Sequence, residues 1–264
     1  MLLKVEKLSK NFDGVTAISN LDFDLAEGEV RGLIGPNGSG KSTFFNLVTG
    51  VYLPASGRIR FEDKDITSAE PHEIAALGIA RTFQLLRIFS EMTVLENVMI
   101  GHHLHVNYGP LAAVFGVAKT SAEEKRIKQE MMELLAFVGL ADYAELQGAE
   151  LSIGQRRLLS LARAIAMRPK LLMLDEPAAG LSPTNIDNLL NTISELKMRY
   201  GLTIIIIEHI LRVVMNTCDR ITVLDHGVKI GEGTPEEVRN NHAVIEAYLG
   251  REMNDEDVRK AITQ

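Results

Sequence analysis

The sequence predicts an α/β protein centred on a parallel sheet, and three observations carry that prediction. Short β-branched apolar runs alternate along the chain with longer segments of helical period. Three of the runs, Leu171 to Leu174, Thr203 to Ile207 and Ile221 to Leu224, carry no charge and nothing polar beyond a threonine. A half-exposed strand alternates polar and apolar residues, so such continuity implies burial on both faces. Finally, a glycine-rich turn joins a strand to a helix between Val30 and Thr49, as in the βα unit that holds phosphate.

Taken in order, Val30 to Ile34 is a strand and about Lys41 to Thr49 a helix. Arg58 to Glu62 alternates as a second strand, after the turn residues Ala55, Ser56 and Gly57. From about Gln84 to Met167 strand signals stop and helical ones dominate. Within that stretch Ser121 and Glu124 have capping-box spacing, ahead of Met131, Leu134, Leu135 and Val138 at helical intervals. The pattern implies a helical subdomain inserted into the α/β core. Gly101 to Lys119 carries no assignable pattern. The last residues, EMNDEDVRKAITQ, form a polar tail.

Composition narrows the function classes. Against 35 acidic residues stand 28 basic ones, a net charge of −7, which argues against nucleic acid as a main partner. The single cysteine, Cys218, forms no internal disulfide and fits a reducing compartment. No run approaches the roughly 18 apolar residues of a spanning helix, and the N-terminus MLLKVEKLSK lacks a signal-peptide core. A cytoplasmic protein is expected, with any membrane association made through a partner. His102, His103 and His105 lack the cysteine or acidic neighbours of a metal site. Arg156, Arg157 and Arg163 fit a basic helix face better than a nucleic-acid surface.

The chemistry is concentrated in three segments. Gly35-Pro36-Asn37-Gly38-Ser39-Gly40-Lys41-Ser42 matches G-x-x-x-x-G-K-[ST] in the required strand–turn–helix context. Its glycines let backbone N–H groups surround phosphate, and the helix adds its positive end. Lys41 then neutralises the β- and γ-phosphates, and Ser42 coordinates Mg²⁺. Leu171 to Glu176 ends a buried strand in two carboxylates. At a sheet's carboxyl edge Asp175 can face the metal and Glu176 the water that attacks the γ-phosphate. Leu151-Ser152-Ile153-Gly154-Gln155 opens an amphipathic helix with a capping-box pair, and a capped N-terminus beside glycine is itself an anion site.

In this order, with Gln84 after one strand and His209 after another, the segments resemble the ABC transporter ATPase pattern from Leu2 to about Gly250. RTFQ at Arg81 to Gln84, DEPAAGLSP at Asp175 to Pro183 and EGTPEEVRNN at Glu232 to Asn241 are similar to the larger ATPase subunit of branched-chain amino acid importers. The ATPase of lipopolysaccharide export is similar in the same places. The extension at Gly101 to Lys119 favours the importer, where the larger subunit is also extended.

The resemblance implies one ABC ATPase domain over 1–250. Its P-loop α/β core covers 1–83 and 168–250 and includes an antiparallel β subdomain; a helical subdomain covers about 84–167, and a tail 251–264. It further implies that Phe12 stacks on adenine, that Thr43 joins the phosphate loop, and that Gln84 touches Mg²⁺ and the attacking water. His209 would contact the γ-phosphate. Ser152, Gly154 and Gln155 would bind the ATP of a second ATPase subunit, either a copy of this chain or a shorter homologue. Implied partners are two transmembrane permease subunits and, indirectly, a substrate-binding protein outside the membrane. The rival classes are lipopolysaccharide export and a soluble non-transport ABC ATPase, which usually carries two cassettes or a long insertion. Three residues depart from the family pattern: Ile153 replaces the usual Gly, Ser182 the usual Asp, and Ile210 the Asp that often follows the histidine. None removes a group assigned to hydrolysis.

Overall fold

The computed structural model describes residues 1–82, 88–102 and 119–249. The chain forms two compact units, one made of Met1–Arg81 with the chain from Leu171 onward, the other of Thr82–Lys170.

The first unit contains two sheets. Strands β1 (Leu3–Phe12), β2 (Val15–Leu25), β4 (Ser56–Phe61) and β5 (Lys64–Asp65) form an antiparallel sheet in the order β2-β1-β4-β5. Several irregularities in the pairing of β1 and β2 break the period-2 pattern, so neither strand shows in the sequence. The overlooked signal is Asp13-Gly14, with φ of 44° and 86°. Two consecutive positive φ values are what a tight type I′ hairpin requires, and Asp-Gly supplies them at low cost.

The second sheet runs in the order β10-β9-β3-β8-β7-β6. Its members are β3 (Val30–Ile34), β6 (Ile79–Arg81), β7 (Leu171–Asp175), β8 (Thr203–Ile207), β9 (Arg220–Asp225) and β10 (Val228–Gly233). All neighbours are parallel except β9 and β10, which form a hairpin at the edge. Every residue of β3, β7 and β8 is buried, which is why Leu171 to Leu174 and Ile204 to Ile207 read as uninterrupted apolar runs, while β3 also buries Arg31. Helix α1 (Lys41–Val48) contributes Phe44, Phe45, Leu47 and Val48 to a core shared with both sheets. Phe44 meets Phe23 of β2 with ring centroids 4.9 Å apart. The remaining helices of this unit are α2 (Pro71–Ala76), α6 (Pro183–Tyr200), α7 (Leu211–Thr217), α8 (Pro235–Arg239) and α9 (His242–Leu249).

The second unit is helical, with α3 (Val94–His102), α4 (Lys119–Phe137) and α5 (Ile153–Ala166). Its own core joins Val94 and Val98 to Met131 and Leu135 and to Leu159 and Ala162. Helices α3 and α5 approach closely at Gly101, where a Cβ would stand 2.3 Å from the Arg163 carbonyl. Buried Asn97 receives the Phe89 N–H and donates to the carbonyls of Phe89 and Thr93, stapling the segment before α3 to the helix.

Two expectations need correction. Helix α4 begins at Lys119, so Ser121 lies inside it and cannot be its cap. Gly101 and His102 are the end of α3, Lys119 starts α4, and of that stretch residues 103–118 lie outside the described chain.

Candidate functional site

The parallel register brings the chemistry to one edge. Leu33 of β3 and Asp175 of β7 both pair with Ile207 of β8, so the three strands finish level. Beyond them come the phosphate loop, Glu176 and His209, at the carboxyl ends where open α/β sheets bind ligands.

The loop is held in a shape that only glycine fits. At Gly35 (φ 152°) a Cβ would lie 2.1 Å from the Leu224 carbonyl. At Gly40 (φ 104°), the residue capping α1, it would lie 2.6 Å from the Ala17 carbonyl. The turn between β9 and β10 braces the loop from outside, through Gly227 N–H to the Ser39 carbonyl at 3.0 Å and Ser19 N–H to the Gly227 carbonyl at 2.9 Å. Asn37 and Gly38 are exposed at the tip, and Pro36 is half-buried. Lys41 is buried, and its ammonium donates to the carbonyls of Gly35 at 2.7 Å and Pro36 at 2.9 Å. Burial lowers its pKa, while the charges of Glu176 and Asp175 oppose that shift. Ser42 is exposed and Thr43 half-buried in the first turn of α1, whose leading N–H groups lack helical acceptors.

Asp175 is buried, and its Oδ2 accepts from Arg81 Nη2 at 2.7 Å. Arg81 also donates to Asn46 Oδ1 at 2.6 Å, and its guanidinium carbon lies 5.3 Å from the Phe45 ring centroid. Arg81 therefore fixes one carboxylate oxygen of Asp175. In the sequence Arg81 stands within RTFQ with no signal of this role.

Glu176 follows in the left-handed region, with φ 49°. Its N–H donates to the Ile207 carbonyl at 2.9 Å. Its Oε1 lies 2.8 Å from His209 Nε2, so the two side chains reach into the same space. Beside them is Glu208, which sequence analysis missed. It is buried, accepting from the N–H groups of Ala178, His209 and Ile210.

Phe12 stands at the first hairpin, partly exposed, in edge contact with Tyr52 (centroids 5.1 Å apart) and with Lys10 Nζ 5.1 Å from its ring centroid. Such a ring offers a face to an aromatic base.

Ser152, Gly154 and Gln155 belong to the other unit. Ser152 caps α5: its Oγ accepts from the Gln155 N–H at 3.3 Å, and Gln155 Oε1 accepts from the Ser152 N–H at 2.9 Å. Gln155 is thus committed to the capping box. Ile153 is the first helical residue and is exposed, so the position usually held by Gly needs no left-handed backbone here. Ser182 caps α6, accepting from Asn185 N–H at 3.4 Å, with Pro183 next. Arg156 donates to the carbonyls of Leu151 and Ala149, and Arg163 lies over the Phe89 ring. Gln84, His103 and His105 lie outside the described residues. Among the described residues no cluster of three His, Cys, Asp or Glu could hold a metal ion, and no helix is long and apolar enough to cross a membrane.

A nucleoside triphosphate fits this arrangement. The glycine cradle leaves no room for Cβ atoms at Gly35 and Gly40, and Lys41 already sits inside it. The oxygen donors Ser42 and Asp175 suit Mg²⁺, which usually binds one or two carboxylates together with substrate phosphates.

Comparison with known proteins agrees. The family model for ABC transporters matches residues 18–179. A second model, for branched-chain amino acid ATP-binding cassette transporters, matches residues 228–252. The chain is 39% identical over 249 residues to the high-affinity branched-chain amino acid transport ATP-binding protein BraF of Pseudomonas aeruginosa, covering 94% of this chain and 98% of that one. It is 41% identical over 253 residues to the corresponding protein LivG of Salmonella typhimurium, with the same coverage. Among solved structures, a nucleotide-free ATP-binding cassette from an ABC transporter superposes with a TM-score of 0.81 at 37% identity, covering 95% of this chain and 99% of that one. An ATP-binding cassette in its ADP conformation gives 0.80 at 36% identity, with the same coverage. By sequence, fold and the chemistry gathered at its sheet edge, the chain belongs to the ATP-binding subunits of ABC transporters.

Proposed function

We propose that this chain energises uptake of branched-chain or related hydrophobic amino acids by binding and hydrolysing ATP at the cytoplasmic face of a membrane. The observation that carries the hydrolytic reading is the 2.8 Å meeting of Glu176 with His209 at the edge that bears the phosphate loop. The names of the relatives BraF and LivG, and the second family match at residues 228–252, support the substrate class.

In this reading Phe12 stacks on adenine and the loop N–H groups from Gly35 to Thr43 surround the phosphates. Lys41 exchanges its carbonyl acceptors for β- and γ-phosphate oxygens. Ser42 and Asp175, with Gln84, would hold Mg²⁺, which neutralises phosphate charge. Glu176 orients the attacking water and takes up its proton density as the new O–P bond forms. His209 donates to the γ-phosphate as the bond to the β-phosphate oxygen breaks and ADP leaves. The amides at the start of α5, with Ser152 and Gly154, bind the γ-phosphate held by a second ATPase subunit. Two sites are therefore completed only on closure. Closure moves two permease subunits because ATP binds the closed form more tightly, and a ligand shifts an equilibrium only by that difference.

A tagged Glu176→Gln variant, incubated with ATP and Mg²⁺ in detergent-solubilised native membranes, tests this. Two polytopic permease subunits and a shorter ATPase should be retained, and transport of leucine should depend on them. Recovery of lipopolysaccharide-export components would move the same engine to another cargo. ATP binding with no membrane protein retained would end the transport reading.

A further inference from the structure

Strand β8 is apolar from Ile204 to Ile207 and buried throughout, yet the next residue is an acid. Glu208 is 2% exposed. Burying a carboxylate is costly unless hydrogen bonds replace its water. Here the replacement is complete enough to be specific. Oε1 accepts from the Ala178 N–H at 2.7 Å, and Oε2 accepts from the N–H groups of His209 at 3.0 Å and Ile210 at 3.2 Å.

Those amides lie on two different segments. Ala178 is two residues past Glu176, on the loop leaving β7, while His209 and Ile210 leave β8. Between the segments, Glu176 and His209 meet at 2.8 Å. The loop leaving β7 needs holding, because Glu176 has φ 49°, a left-handed backbone that strains a residue carrying a Cβ. Its own N–H bond to the Ile207 carbonyl anchors one end of that strained stretch. The Glu208–Ala178 bond anchors the other.

We propose that Glu208 is a positioning residue for ATP hydrolysis, a buried clamp whose two oxygens tie the Glu176 loop to the His209 turn and fix the two side chains against each other. The proposal rests on the hydrolytic roles of Glu176 and His209 given above. It adds that neither geometry is set by its own segment alone. A misplacement near the reacting atoms of even an ångström can cost about a hundredfold in rate, so the clamp acts on turnover and not on nucleotide affinity.

Glu208→Gln is the informative variant, since it keeps the size but presents an NH₂ group to backbone donors. The expected result is a kcat about tenfold to a hundredfold lower, with KM for ATP changed by less than about twofold. In a His209→Ala background the same substitution should have little further effect, because the clamp works through that pair. An unchanged kcat overturns the proposal, as does a full additional loss in the His209→Ala background. A second measurement needs no variant: amide hydrogen exchange of the wild-type protein should show Ala178, His209 and Ile210 protected. Exchange at unprotected rates there also overturns it. If Glu176→Gln and His209→Ala themselves hydrolyse normally, the hydrolytic reading falls; if they are impaired and Glu208→Gln is not, only the clamp falls.

Discussion

Burial sets the direction in which Lys41, Cys218 and Glu208 shift. Cys218 packs near Gly32, where a Cβ would come within 3.1 Å of its Sγ, and burial pushes its thiol up to about 12. Only the thiolate is an effective nucleophile, so Cys218 should resist iodoacetamide at pH 8 in the folded protein and react fully in denaturant. Prompt alkylation of the native protein, read by mass spectrometry, would contradict this placement. Glu208 is raised for the same reason: burial outweighs the three backbone N–H bonds, and the charge of Glu176 adds to it. Its folded pKa lies above the usual 4.5, so its contribution to stability is full below that value and is lost as pH rises through the folded pKa. Glutamine cannot titrate. Urea unfolding across a pH series should therefore show Glu208→Gln gaining on the wild type as pH rises from about 4.5; a difference independent of pH would refute that shift.

Among the elements, α5 shows how one local motif serves stability and chemistry together. The reciprocal Ser152–Gln155 bonds satisfy two N–H groups at its start, and the remaining ones point away from the helix where an anion is favoured. These two roles separate by substitution. Ser152→Ala should cost about 1 kcal/mol in stability. Ser152→Asp keeps a capping oxygen and should retain most of that stability, yet it places a negative charge where phosphate is proposed to bind. ATPase activity should then fall further in the aspartate variant than in the alanine variant, although the aspartate variant unfolds later. If activity instead follows the unfolding midpoint, the helix start has no role in the reaction.

On the scale of the molecule, the site residues fall in two units. The phosphate loop, Asp175, Glu176 and His209 belong to one, and Ser152, Gly154 and Gln155 to the other. ATP that bridges two subunits through these two sets should draw them into a closed dimer. Glu176→Gln should bind ATP while hydrolysing it at least about a hundredfold more slowly, the low end of what a general base contributes. Its mass in solution should double, or pair with that of a shorter homologue, when ATP is added. Light scattering during size exclusion, run with and without the shorter ATPase, reads this directly, and a variant that stays monomeric at saturating ATP in both cases would remove the bridging step.

The phosphate loop was legible because its residue types are required locally. A strained turn needs glycine, and phosphate needs Lys41 and the N–H groups of a following helix, so the chemistry appears at fixed spacing. The buried strands were legible for a similar reason, since burial on both faces leaves only apolar residues from Leu171 to Leu174 of β7 and from Ile204 to Ile207 of β8. Strands β1 and β2 were not, because the irregular pairing across their hairpin blurs alternation. Arg81 and Glu208 were invisible for a deeper reason. Each gains its meaning only from a residue distant in sequence: Arg81 from Asp175, and Glu208 from Ala178. Local residue types thus set which groups are available for phosphate chemistry and on which strands they ride. Which buried charges hold those groups in place emerges only from the fold, because a hydrogen bond between two strand ends has no period, no spacing and no local signature.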